Sequence, residues 1–132
     1  MELYEKFYRK ANSMLNGAID LKDSKSILNE DKCYILQQAL EKALKAVLVY
    51  YERSYPNTHD INRLFQLVEQ CIELPGNVYA EDLVRLTIFA VERRYPDGVP
   101  EEEEMDISDE DYLFFLQRTI ACFNWIKKIL NL

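Results

Sequence analysis

One run of residues, Cys33 to Tyr51, restricts the possible folds more than any other part of the chain. Within it Leu36, Ala39, Leu40, Ala43, Leu44, Val47 and Leu48 recur at i, i+3, i+4 and i+7. That spacing gathers them on one face of an α-helix, and the run lacks the strict alternation of a half-buried strand. An apolar face this broad has to be covered by other elements. On the opposite side fall Gln37, Gln38, Glu41, Lys42 and Lys45, with Glu41 and Lys45 in the favourable i, i+4 order. This polar side is expected to meet solvent or a partner.

The rest of the chain offers the same kind of cover. Three glycines and four prolines punctuate 132 residues, and Leu, Ala, Glu and Lys fill the long stretches between them, a composition that favours helices. Leu3, Phe7, Ala11, Met14, Leu15, Ala18 and Leu21 are helically spaced, which predicts one helix over Leu3 to Leu28, or two joined near Gly17. Asn29, Glu30 and Asp31 supply capping side chains for the long helix. That helix must end before Pro56. Thr58 then reads as the N-cap of a third helix that buries Ile61, Leu64, Phe65, Val68, Cys71 and Ile72, with Asp60 in its first turn and Pro75-Gly76-Asn77 at its end. A fourth helix is predicted over Ala80 to Arg93, stopping at Tyr95-Pro96. After an acidic connection over 97–107, Ser108 followed three residues later by Asp111 opens a fifth helix that runs to about Leu130. The expected fold is therefore all-α, a single domain over 1–132 built as an up-down bundle of about five helices.

Charge and cysteine usage narrow the function classes. The formal charge of -7 is uneven, because eight of the 23 acidic residues lie between Glu101 and Asp111 and the remainder of the chain holds 15 acids against 16 bases. A local nucleotide site is compatible with that balance, whereas extended nucleic-acid binding lacks a basic stripe to support it. The acidic run has no mid-loop Gly or alternating ligand pattern, so a solvated loop is expected rather than a calcium site. Cys33, Cys71 and Cys122 are odd in number, far apart and form no CxxC pair, which predicts buried thiols and neither disulfide nor zinc. No apolar run reaches the roughly 18 to 20 residues of a membrane span, and the charged N-terminus MELYEKFYRK is unlike a signal peptide, so the chain reads as cytoplasmic. No cofactor is expected: the sequence has no Gly-rich phosphate loop, no GxSxG elbow and no His/Cys cluster.

The segments CYILQQALEKALKAVLVYY, YPNTHDI and LVRLTIFAVERRYPDG, in that order and spacing, resemble the HEPN domain, a small nucleotide-binding helical bundle. The resemblance extends over roughly residues 8 to 130 and is closest to the variant found in short prokaryotic proteins. It implies a homodimer formed through helices, working beside a separately encoded minimal nucleotidyltransferase, often as a toxin and antitoxin pair. It also implies that some members are metal-independent ribonucleases, with a motif of Arg followed after four to six residues by His, usually near the fourth helix.

Two sets of candidate residues follow. Arg53 and His59 have five residues between them and could serve as phosphorane stabiliser and general base of an endoribonuclease acting on RNA. They lie, however, between the second and third helices, and at the later place Arg93-Arg94-Tyr95-Pro96 has no His after it. His59 reads instead as a first-turn residue of the third helix, hydrogen-bonded to hold the loop, which makes a binding module the leading expectation and an enzyme the alternative. The second set is a nucleotide clamp of Lys42, Arg53, Arg93 and Arg94, with Tyr55 or Tyr95 stacking on a base. Tyr50, Tyr51, Tyr112, Phe114, Phe115 and Trp125 occupy more than one helical face and either complete the core or form an interface. A third reading, a purely structural oligomerisation module, needs neither residue set.

Overall fold

The computed structural model describes residues 1–87, 90 and 107–132. Among them are five helices and no strand: α1 (Leu3–Asp20), α2 (Asn29–Tyr50), α3 (Ile61–Glu69), α4 (Ala80–Thr87) and α5 (Asp109–Ile129). The predicted all-α bundle is the fold observed. Its organising element is α2, which packs against each of the other four helices and most extensively against α1. Leu36, Leu40, Leu44, Val47 and Leu48 all lie in one apolar core with Leu15 of α1, Ile61 and Leu64 of α3, Leu83 and Leu86 of α4 and Phe115 and Ile126 of α5. Removing such side chains from water is the main driving force for the bundle.

Several boundaries differ from the sequence reading, each for a local reason. Helix α1 stops at Asp20, with Leu21 as its C-cap, because Lys22 to Ser26 bring no apolar residue to the stripe. Gly17 is no joint: it sits inside α1 and the helix runs through it. Asn29, Glu30 and Asp31 form the first turn of α2, and the N-cap is Leu28, with no side-chain cap. Asn29 is used differently, since its Nδ2 donates to Ile107 O at 2.8 Å and to Asp109 Oδ1 at 2.9 Å. The start of α2 is thereby tied to the start of α5. Helix α2 ends well before Pro56: Glu52 takes a left-handed φ of 58°, and the amides of Glu52 and Arg53 donate to Val49 O at 2.9 Å and Leu48 O at 2.8 Å. This is the Schellman arrangement, with Glu where glycine is usual. The N-cap of α3 is Asp60 rather than Thr58; its carboxylate accepts from the amides of Asn62 and Arg63, while Thr58 Oγ1 accepts from the amide of Asp60. Ser108 caps α5 as expected, accepting from the Asp111 amide at 3.0 Å.

The loop between α1 and α2 is fastened from inside. Lys32, almost fully buried, donates to Ser24 O at 2.8 Å and Lys22 O at 3.4 Å, and its ammonium lies 5.4 Å from the Tyr112 ring centre. The Tyr112 hydroxyl in turn donates to Ala18 O at 2.7 Å. Of the aromatics with two possible roles, Tyr112 and Phe115 belong to the core, whereas Tyr50, Tyr51, Phe114 and Trp125 are partly buried against it. Cys33 and Cys122 are buried free thiols, as expected, and Cys71 is half-buried. No helix among the described residues is long and apolar enough to cross a membrane. The predicted end of the fourth helix beyond Thr87, and the acidic connection up to Asp106, lie outside the described residues.

Candidate functional site

The largest departure from the sequence reading concerns the polar side of α2. It was expected to face solvent or a partner, yet Gln37, Glu41 and Lys45 are buried within the chain itself. The segment after α2 folds back onto the first two of them. Gln37 Nε2 donates to His59 O at 3.1 Å, and the two oxygens of Glu41 are shared out, Oε1 to His59 Nδ1 at 2.7 Å and Oε2 to Lys45 Nζ at 3.1 Å. The side chains of Glu41 and Lys45 are only 5% and 10% exposed, while that of His59 is 72% exposed. A buried carboxylate needs hydrogen bonds and a counter-charge to be tolerated, and here Lys45 supplies both. With Nδ1 held by Glu41, the Nε2 edge of the imidazole is left to the exposed side of the ring.

Of the expected pair, His59 is thus fixed in position, and its backbone and ring both hold the loop to α2. It lies just before the Asp60 cap, outside α3. Arg53 is exposed, and its side chain makes no hydrogen bond or ion pair with another described residue. The structure does not join the two by a direct contact.

Of the residues expected to clamp a nucleotide, Arg53 is not on the cleft that Lys42 lines. Lys42 on α2 and Tyr55 in the following loop line a common cleft of about 830 Å³ against α1. Helix α1 contributes Lys6, Arg9, Lys10 and Ser13, while Met1, Leu3 and Phe7 add an apolar side. The Phe7 and Tyr55 rings meet edge to face at 5.3 Å. No carboxylate is among the lining residues, so the charge facing the cleft is wholly positive. Arg93, Arg94 and Tyr95 lie outside the described residues. The sequence reading missed the α1 cations, although Lys6, Arg9 and Lys10 stand at i, i+3 and i+4 and so share one helical stripe.

Another held cation, Arg118, is not part of the cleft lining. The Arg118 guanidinium of α5 sits 3.5 Å from the Tyr79 ring centre and 4.8 Å from that of Phe114, and its Nε is 3.4 Å from Asp82. Asp82 also pairs with Arg85 at 3.7 Å. These contacts join α4 to α5. Among the described residues no group of three or more His, Cys, Asp or Glu side chains is placed to hold a metal ion.

Comparison with known proteins agrees with this architecture. The HEPN domain family model matches residues 4–129. The crystal structure of an archaeal HEPN homologue matches with a TM-score of 0.65 at 23% identity, covering 97% of this chain and 98% of that one, a likeness that speaks for the fold. No curated protein matches the sequence. With the family model running over nearly the whole chain and the same fold in an archaeal homologue, this chain belongs to the HEPN domain family.

Proposed function

We propose that this HEPN domain is a binding and interaction module that takes a nucleotide as ligand, forms a homodimer and acts beside a minimal nucleotidyltransferase, in the manner of a prokaryotic toxin and antitoxin pair. The observation that supports it best is the convergence of Lys42 and Tyr55, one cation and one aromatic ring of the expected clamp, on a single cleft free of carboxylates. Cations recognise phosphate through charge-assisted hydrogen bonds, and an aromatic side chain gives a base a sequence-tolerant stacking surface. The dimer and the nucleotidyltransferase rest on the resemblance to the family. A ligand that binds only the folded state raises its melting temperature. Millimolar ATP is therefore expected to raise the melting temperature of the purified protein, and an unchanged melting curve would remove the nucleotide from this reading.

A second reading, a metal-independent ribonuclease using Arg53 and His59, is favoured by one specific observation. A carboxylate on Nδ1 and an exposed Nε2 edge is the arrangement that orients an imidazole as a general base. Incubation with RNA in EDTA tests it. The binding module is expected to leave the RNA intact, and cleavage that disappears in His59→Ala would favour the enzyme instead.

A further inference from the structure

We propose that helix α1 is the phosphate-binding element of this protein and that the cleft between α1 and α2 takes a nucleoside triphosphate. This deepens the nucleotide reading above and rests on it. Lys6, Arg9 and Lys10 project from one stripe of α1, and Lys42 faces them from α2 across the cleft. Four cations on one lining with no carboxylate among them repel one another when the cleft is empty, and their summed field attracts a multiply charged anion. The stripe from Lys6 to Lys10 covers about one helical turn, or roughly 6 Å along the axis, and Lys42 adds a charge from the other wall. A chain of phosphates meets all four cations, whereas a single phosphate meets only part of the set.

The same lining also carries an aromatic pair. Phe7 and Tyr55 are packed edge to face, which fixes the tyrosine ring while leaving Tyr55 40% exposed. A fixed, accessible aromatic ring beside a cationic wall suits a base attached to a polyphosphate. The volume of about 830 Å³ lies within the range of small-molecule sites. Both walls are held independently of any ligand. Ala11 and Leu15 anchor α1 in the core, and the loop carrying Tyr55 is pinned by His59 to Gln37 and Glu41.

Calorimetric titration of the full chain tests the assignment, using ATP, adenosine and inorganic tripolyphosphate as probes. Arg9 and Lys10 are exposed, so the double variant Arg9→Ala/Lys10→Ala keeps the core, which circular dichroism checks. Lys127→Ala/Lys128→Ala, in the last turn of α5, removes the same charge from two residues that do not line the cleft. The expected result is ATP binding by the wild type and the α5 variant alike, weakened on the order of tenfold or more in the α1 variant. Tripolyphosphate is expected to bind more weakly than ATP, and Tyr55→Ala to abolish that difference. ATP binding unaffected by Arg9→Ala/Lys10→Ala would overturn the site while leaving the nucleotide reading in place. Tripolyphosphate binding as tightly as ATP would overturn the nucleoside half of the proposal. Absence of ATP binding to the wild type would overturn both this inference and the reading it rests on.

Discussion

At the scale of single residues, local geometry decides what composition leaves open. Gly17 lies in the interior of α1, and a Cβ built there meets nothing within 4 Å. Glycine in a helix costs conformational entropy that alanine does not, so Gly17→Ala is expected to stabilise the protein by about 0.5 to 1 kcal/mol in a urea unfolding series. Burial pushes the Cys33 and Cys122 thiols up to about 12 from an ordinary value of 9.0. Above pH 9 the unfolded chain therefore gives up thiol protons that the folded chain keeps. Stability contributed by these groups is complete below that pH and is lost as pH rises toward 12, so melting temperatures are expected to fall on the alkaline side. The same burial predicts that in the native protein an alkylating reagent modifies half-buried Cys71 first and leaves Cys33 and Cys122 protected until the chain unfolds. Three fast thiols in native buffer would contradict the packing around α2 and α5. The burial of these two thiols was legible from cysteine count and spacing. The Glu52 conformation was not, since a non-glycine residue with φ of 58° carries no sequence signature.

At the scale of elements, the apolar side of α2 was readable because helical periodicity reports burial directly, and every residue of that stripe is in the core. Its polar side was misjudged for an equally physical reason. Gln37, Glu41 and Lys45 are residue types that normally face water, and the return of the His59 segment onto Gln37 and Glu41 is a contact that the periodicity of α2 does not report. The Glu41 and Lys45 pairing was foreseen from the i, i+4 order; its isolation from solvent was not. That isolation sets its energetics. Removing one partner leaves a charge buried without its counter-charge, and Glu41→Ala or Lys45→Ala is expected to destabilise the fold by about 3 kcal/mol. The double variant Glu41→Ala/Lys45→Ala should cost clearly less than the sum of the two, and a double-mutant cycle by denaturant unfolding measures the difference. Additive losses would mean that the pair is no closer coupled than an exposed surface pair. Lys42→Ala, on the same helix but lining the cleft, should leave stability nearly unchanged.

At the scale of the molecule, the five-helix order followed from periodicity, prolines and caps, and the family was legible from three segments spread along the chain. The candidate site was legible only in part. Lys42 and Tyr55 were named from sequence, but the cations that complete their cleft come from α1, more than 30 residues earlier, and only the packing of α1 on α2 brings them together. Linear spacing cannot report a juxtaposition of that kind. The resulting protein has an apolar centre organised by α2, a buried ion pair that fixes the segment after it, and a positive cleft beside that segment. Binding of a charged ligand there should weaken as salt rises, because the attraction is between partly exposed charges and phosphate. The most direct measurement is a calorimetric titration of the wild-type protein with ATP at low and high salt. A nucleotide-binding HEPN module predicts saturation at about one ATP per chain, weaker at high salt by the screening of exposed charges. No saturable binding at millimolar ATP in low salt would contradict it.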